Sequence, residues 1–250
     1  MKLAVCIKRT PDTETRIKIA GDGKRIDEAG VKFVLNPYDE YAVEEALQLK
    51  ERAGQGEVVV ITVGGDASQE TIRTALAMGA DRGVLLKSDA VGIDQLPVAK
   101  ALATELQSGA YDLVLFGKLA IDDSNQAMGP MVAELMGIPC VSAVSTLTVA
   151  DGSGTAEREI EGGVEGVEFG LPAIVTTEKG LNDPRYPALR GIMMAKKKPL
   201  ETKDVALVDG GLEVVSLTLP PVRQEGRIVG EGADAVPALL EALRSEAKVL

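Results

Sequence analysis

Glu57-Val58-Val59-Val60-Ile61-Thr62-Val63-Gly64-Gly65-Asp66-Ala67-Ser68 runs directly into an amphipathic segment over residues 69–78 and then Gly79. An apolar, β-branched run without polar alternation marks a strand covered on both faces. The glycine pair ends it, Asp66 and Ser68 are capping residue types, and Gly79 is a helix stop. The same strand–loop–helix unit recurs in both directions. Upstream, residues 3–7 form a short apolar strand. Asn36-Pro37-Tyr38-Asp39 then opens a helix over 40–53, closed by Gly54, with Ala42, Val43, Ala46, Leu47 and Leu49 as its apolar stripe. Residues 16–20 and 31–35 read as two further short strands around Gly21-Asp22-Gly23. Downstream come strand 83–87, helix 94–107, strand 112–116 and helix 125–136, the last closed by Gly137.

This alternation predicts an α/β fold with a mostly parallel, twisted sheet and helices on both faces. The pattern changes past residue 139. Residues 141–149, 156–161 and 164–169 read as antiparallel additions joined by Gly-rich turns, and 173–177 as one more strand. A loop with two prolines leads to a short helix over 188–195 and then Lys196-Lys197-Lys198-Pro199. The expected organisation is an α/β domain over 1–199 and a C-terminal arm over 200–250. The arm's last helix, 234–247, carries the stripe Val236, Leu239, Leu240 and Leu243, which needs a surface to pack on.

Composition removes many functions. The chain has 250 residues, no histidine and only two cysteines, Cys6 and Cys140. Ser-His-Asp and Cys-His catalysis, histidine metal sites, zinc sites and iron–sulfur clusters are excluded on that basis. The cysteines lie in separate apolar runs and read as buried free thiols, which implies a cytoplasmic location. A net charge of −11 and an aromatic content of 3% without Trp argue against a nucleic-acid partner. No apolar run reaches the roughly 18 residues of a membrane helix, so no direct membrane insertion is expected.

Ligands of open parallel sheets bind outside the carboxyl ends of the strands, here residues 8–12, 64–68 and 117–125. Gly117-Lys118-Leu119-Ala120-Ile121-Asp122-Asp123-Ser124-Asn125-Gln126-Ala127-Met128-Gly129 joins a strand to a helix. Backbone N–H groups at such a helix N-terminus suit an anion, and Asp122, Asp123 and Ser124 can cap or contact a sugar hydroxyl. The loop is neither G-x-x-x-x-G-K-S/T nor G-x-G-x-x-G, and alone it serves equally as an ordinary capped turn. Gly64-Gly65-Asp66-Ala67-Ser68 repeats the construction, and the two loops together suggest a mononucleotide in the crevice. Lys8-Arg9-Thr10-Pro11-Asp12 stands where an ATP pyrophosphatase needs a pyrophosphate loop, which excludes that chemistry. A stand-alone nucleotide-binding sensor stays open at this level. The lysine run beside Leu189 and Ile192-Met193-Met194 reads as an apolar tip with a basic docking rim formed by Lys196 and Lys197.

Thr176-Thr177-Glu178-Lys179-Gly180-Leu181-Asn182-Asp183-Pro184-Arg185-Tyr186-Pro187-Ala188-Leu189-Arg190-Gly191-Ile192-Met193-Met194-Ala195-Lys196-Lys197-Lys198 resembles the signature region of electron-transfer flavoprotein beta subunits. Asn36-Pro37-Tyr38-Asp39, the stretch 69–83 and Gly117-Lys118-Leu119-Ala120-Ile121-Asp122-Asp123 resemble the same family. The resemblance implies an adenine-nucleotide-hydrolase-like fold whose C-terminal arm wraps an alpha subunit. That alpha subunit would make most contacts to FAD. The beta subunit would hold AMP, or a second FAD as in electron-bifurcating members. Cys6, Asn36, Pro37, Tyr38, Asp39, Val63 and Asp122 through Ala133 match the family's nucleotide-binding stretches, while Gly117 lets the backbone turn into the last of them. Leu189 matches its dehydrogenase-docking anchor, and Glu159 an acidic contact to the mobile flavin domain. The function implied is electron shuttling, without bond chemistry of its own, from acyl-CoA-type or other flavin dehydrogenases to a quinone-reducing acceptor.

Overall fold

In the computed structural model, which describes residues 1–208, 210–222 and 225–250, strand β1 (Lys2–Cys6) lies at the centre of the main sheet. Its side chains alternate between two buried clusters. Leu3 and Val5 pack with Ala42, Val43, Ala46 and Leu47 of helix α1 (Pro37–Ala53) and with Ile72 and Leu76 of α2 (Ser68–Met78). Ala4 and Cys6 point the other way, towards Ala99, Leu102 and Leu106 of α3 (Gln95–Gly109) and Val132 of α4 (Met128–Met136). A strand apolar at every position is thus one that feeds a core on each face.

The main sheet also contains β4 (Glu57–Gly64), β5 (Arg82–Lys87), β6 (Leu113–Gly117), β7 (Cys140–Ala150), β8 (Ser153–Ile160), β9 (Gly163–Gly170), β10 (Ala173–Thr177) and β11 (Leu200–Asp204). Their order is β11-β5-β4-β1-β6-β10-β7-β8-β9. Every pairing from β11 to β7 is parallel, and β8 and β9 add antiparallel strands. From β1 the chain builds outward through β4 and β5, then returns to place β6 on the other side of β1. The switch point therefore lies between β1 and β6, and ligands of such sheets bind in the crevice beyond the carboxyl ends there.

Several expectations are corrected. Residues 16–20 form no strand and contribute only the isolated bridge Ile19–Ile26. The partner of β3 (Phe33–Leu35) is β2 (Arg9–Pro11), paired antiparallel in a separate two-stranded sheet. The intervening segment is largely polar and exposed, so it has no apolar face to anchor a longer hairpin. The helix expected from residue 125 starts at Met128, because Ser124 and Gln126 both take φ of 54°, which a right-handed helix cannot accommodate. β7 is not simply antiparallel: it begins parallel to β10 and, past an irregularity at Val144, pairs antiparallel with β8. Cys140 is half-buried rather than buried.

Residues beyond 199 are also not uniformly an arm. β11 pairs with β5 inside the main sheet, and the first compact unit spans Met1–Ser216. The second unit, Leu217–Leu250, contains a 3₁₀ turn at Ala233–Ala235 and helix α6 (Val236–Ser245), shorter than the expected 234–247. Arg227 forks onto Glu246 within it at 2.6 and 2.7 Å. None of its described residues is buried, and Val236, Leu239 and Leu240 are exposed. Among the described residues, no helix is long and apolar enough to cross a membrane.

Candidate functional site

Asn36 immediately precedes α1, where Pro37 supplies a preset φ at the first helical position. The Asn36 side chain caps nothing in α1. Instead Nδ2 donates to Leu119 O (2.8 Å) and Asp39 Oδ1 (3.0 Å), and Oδ1 accepts from Ile121 N (3.2 Å). Asp39, also buried, accepts from the backbone of Lys8 (2.7 Å) and of Gly117 (3.1 Å). These two residues therefore tie the ends of β1 and β6 and the following loop to the start of α1. Burial pushes the Asp39 carboxyl up to about 7, against the donors from Asn36, Lys8 and Gly117 and the Lys8 charge, which pull it down. Gly117 has a packing reason: a methyl there would collide with Asp39 Oδ1 and lie 2.7 Å from the Tyr38 carbonyl carbon. Thr177 Oγ1 adds a bond to Tyr38 O at 3.2 Å.

The loop between β6 and α4 follows. Asp123 Oδ1 accepts from Asn125 N (3.0 Å), while its Oδ2 takes Lys8 Nζ (2.9 Å) and Gln95 Nε2 (3.0 Å). Lys8 Nζ also reaches Asp122 Oδ1 at 2.8 Å. Burial pushes the Asp123 carboxyl up, but the Asn125 amide and Lys8 outweigh it and hold it below its usual value. The loop's positive-φ residues, Ser124 and Gln126, lead into an α4 whose N-cap, Ala127, makes no side-chain cap bond. Among the described residues, the N–H groups of Gln126, Ala127, Met128 and Gly129 find no partner in the chain. Two of these amides, Met128 and Gly129, lie in the first turn of α4, where Pro130 has no N–H, and two in the loop before it; together they are a candidate donor set for an anion. Gly129 lets α4 lie against β10, since a methyl there would strike Thr176 Cγ2.

Ser124, Asn125 and Gln126 are exposed, and Pro37, Tyr38, Val63, Ala127 and Met128 are half-buried. Val63 and Cys6 end β4 and β1 on the α3 side. Burial, with the Asp39 charge behind it, holds the Cys6 thiol well above its ordinary range, so it stays protonated. The residues selected from sequence thus gather at one end of the sheet, around the switch point. The sequence assigns no role to Gln95, nor to Lys8 beyond its place in the strand-end stretch 8–12. Lys8 is the first polar residue after an apolar strand, a usable signal, whereas nothing in the sequence marks Gln95.

On the far side of α1, the segment before helix α5 (Leu189–Ala195) is fastened by polar bonds. Lys118 pairs with Glu178, and Asn182 Nδ2 donates to Tyr41 O and Glu45 Oε2, both at 3.1 Å. Arg185 forks onto Glu44 and reaches Glu51. α5 rests on α2: Ala195 is buried, and a methyl on Gly191 would come within 2.5 Å of Ala77 O. Arg73 Nη1 donates to Ala195 O at 2.5 Å and Lys198 O at 2.9 Å. Lys198 does not belong to the basic rim, because its ammonium donates to Leu76 O and Ala80 O at the end of α2. Lys196 and Lys197 are exposed, as are Leu189 (77%), Ile192, Met193 and Met194. Such a cluster of exposed apolar side chains marks a candidate contact surface. Glu159 is exposed near the end of β8, opposite Val164 of β9.

A family model for the electron transfer flavoprotein domain matches residues 24–208. The chain is 42% identical to the electron transfer flavoprotein subunit beta of Bacillus subtilis, over the full length of both. It is also 42% identical to the subunit of that name from Bradyrhizobium diazoefficiens, again over both full lengths. Identity to the Homo sapiens subunit is 40%, over 96% of this chain and 97% of that one.

Proposed function

Because the chain belongs to the electron transfer flavoprotein beta-subunit family, we propose that it binds one AMP in the β1–β6 crevice and serves as the nucleotide-holding, docking half of a heterodimeric electron carrier. The observation that carries this reading is the uncapped start of α4, which follows β6 at the switch point of the parallel sheet and leaves the amides of Met128, Gly129 and the two preceding residues without a partner in the chain. Those donors fit a phosphate. The half-buried apolar surface of Val63 and Met128 at the same sheet end suits an adenine. Asn36 and Asp39 support the loop from below; their polar atoms are engaged with the backbone and with each other, so they position the site and leave the ligand to the amides.

The alpha subunit would hold most of the FAD, which supplies the redox chemistry of the heterodimer when bound. Leu189, with Ile192 and the Lys196–Lys197 rim, would enter a flavin dehydrogenase. A small apolar anchor with charged surroundings suits fast, reversible exchange, with electrons passing on to a quinone-reducing acceptor. The exposed apolar residues of Leu217–Leu250 support its role as an arm packed on the alpha subunit, and Glu159 its role against the flavin-bearing domain. Two free cysteines are consistent with work in the cytoplasm.

A thermal-shift comparison on the heterodimer refolded with FAD alone tests the reading. Added AMP should raise the melting temperature in proportion to the logarithm of its concentration, and adenosine should do so far less. No shift with AMP would refute a phosphate site on α4.

A further inference from the structure

Lys8 is fixed at its backbone before its side chain does anything. Its N–H donates to Asp39 Oδ2 at 2.7 Å and its carbonyl accepts from Asn36 N at 3.0 Å. From this anchored position at the end of β1 the side chain crosses the crevice and reaches two carboxylates 114 and 115 residues away in the chain. Among the described residues, no other Lys or Arg lies within salt-bridge distance of Asp122 or Asp123. Burial pushes the Lys8 ammonium down, but bonding to Asp122 and Asp123 outweighs this and leaves it raised, so it is charged at neutral pH. The loop that leads to the free amides of α4 would otherwise carry two negative charges beside a site for a dianion.

We propose that Lys8 is a positioning residue that makes this loop acceptable to a nucleoside monophosphate by cancelling carboxylate charge next to the phosphate. The proposal rests on the AMP reading above. An ordinary surface pair would be worth little. Here the partner that gains is the ligand: removing the ammonium leaves the charges of Asp122 and Asp123 uncompensated in the loop that leads to the α4 amides, and both side chains are only partly exposed. Asp123 is needed for the loop itself, through Asn125 N, whereas Asp122 Oδ1 bonds only Lys8. Asp122 is thus the carboxylate whose charge can be removed without unfastening the loop.

The test is AMP affinity, by calorimetry on the nucleotide-stripped heterodimer, for the wild type, Lys8→Met, Asp122→Asn and the double variant. Lys8→Met should bind AMP roughly tenfold more weakly at low salt. The deficit should shrink near about 1 M salt, where the screening length is roughly 3 Å. The double variant should recover most of the affinity. Asp122→Asn alone should bind at least as tightly as the wild type, a result that stands even if Lys8→Met fails to fold. A merely structural lysine would give a salt-independent deficit and no rescue by Asp122→Asn. Either finding, wild-type affinity in Lys8→Met, or weaker binding in Asp122→Asn overturns the proposal alone. No AMP binding by the wild type overturns the nucleotide reading, and this proposal with it.

Discussion

Removing the Arg185 side chain should loosen the segment that presents Leu189 to solvent. The Arg185 guanidinium reaches Glu44 through Nε at 2.7 Å and Nη2 at 2.9 Å, and Glu51 through Nη1 at 2.7 Å. The two carboxylates are unequal. Glu51 is 59% exposed and its pair is worth under about 1 kcal/mol. Glu44 is 4% exposed, and stranding a buried carboxylate costs about 3–5 kcal/mol in a fully buried pair. Arg185 is itself about a third exposed, and Glu44 keeps its bonds to Gln48 Nε2 and the residue 185 amide, so about 2–3 kcal/mol is the better figure here. Arg185→Ala should then lower the melting temperature of the heterodimer by roughly 4–12 °C.

The pH dependence supplies a sharper check on the same variant. Burial pushes the Glu44 carboxyl up, but Arg185 and Gln48 together hold it below its usual value. A folded-state value below the unfolded one adds stability above about pH 4.3, which is lost as pH falls through the folded value. In Arg185→Ala the burial is opposed only by Gln48 and the residue 185 amide, so the gap between variant and wild type should be full at pH 7 and close as pH falls below about 4. Arg185→Lys should recover little, since one ammonium cannot fork onto two carboxylates. Melting curves for the three proteins across this range are the assay. A variant within about 2 °C of wild type at pH 7, or a gap indifferent to pH, would refute the reasoning.

Two further outcomes are expected. Asp39→Asn is neutral at every pH, while the wild-type carboxyl titrates at about 7 when folded and about 4 when unfolded. The wild-type group contributes stability fully present below about pH 4 and lost as pH rises through about 7. The stability of wild type relative to Asp39→Asn should therefore fall by up to about 4 kcal/mol across that window in melting experiments, and a constant difference would contradict it. Leu189→Ala should keep the nucleotide and the heterodimer but slow electron exchange with the dehydrogenase roughly tenfold in stopped-flow reduction, as loss of an exposed apolar anchor implies. Unchanged kinetics would remove Leu189 from the contact.

The parallel core was legible because its strands are apolar at consecutive positions and its helices end at glycines such as Gly54 and Gly137, both in the left-handed region. What sequence reading missed has physical causes. β11, Leu-Glu-Thr-Lys-Asp, is a polar edge strand on which hydrophobic periodicity has little hold. β2 has three residues, too few for any pattern. The strand-end rule gave the place of the candidate site, but not how its residues bond to one another. Asn36 and Asp39 have residue types suited to a ligand, and only the fold reveals that their side chains are consumed by Ile121, Leu119, Lys8 and Gly117. The same holds for Lys198, basic in sequence and a helix-end donor in the fold. Arg185 and Glu44 are 141 residues apart, and only the fold reveals that the signature segment is fastened to α1 through Asn182 and Arg185 and to α2 through Ala195 and Lys198.

The most direct test of the account is to co-express the chain with its alpha subunit, denature the purified heterodimer, and identify and count the nucleotides released. One FAD and one AMP per heterodimer is the predicted result. Two FAD and no AMP would contradict the AMP assignment and move the protein to the electron-bifurcating class, and a heterodimer with FAD alone would contradict the nucleotide site at α4.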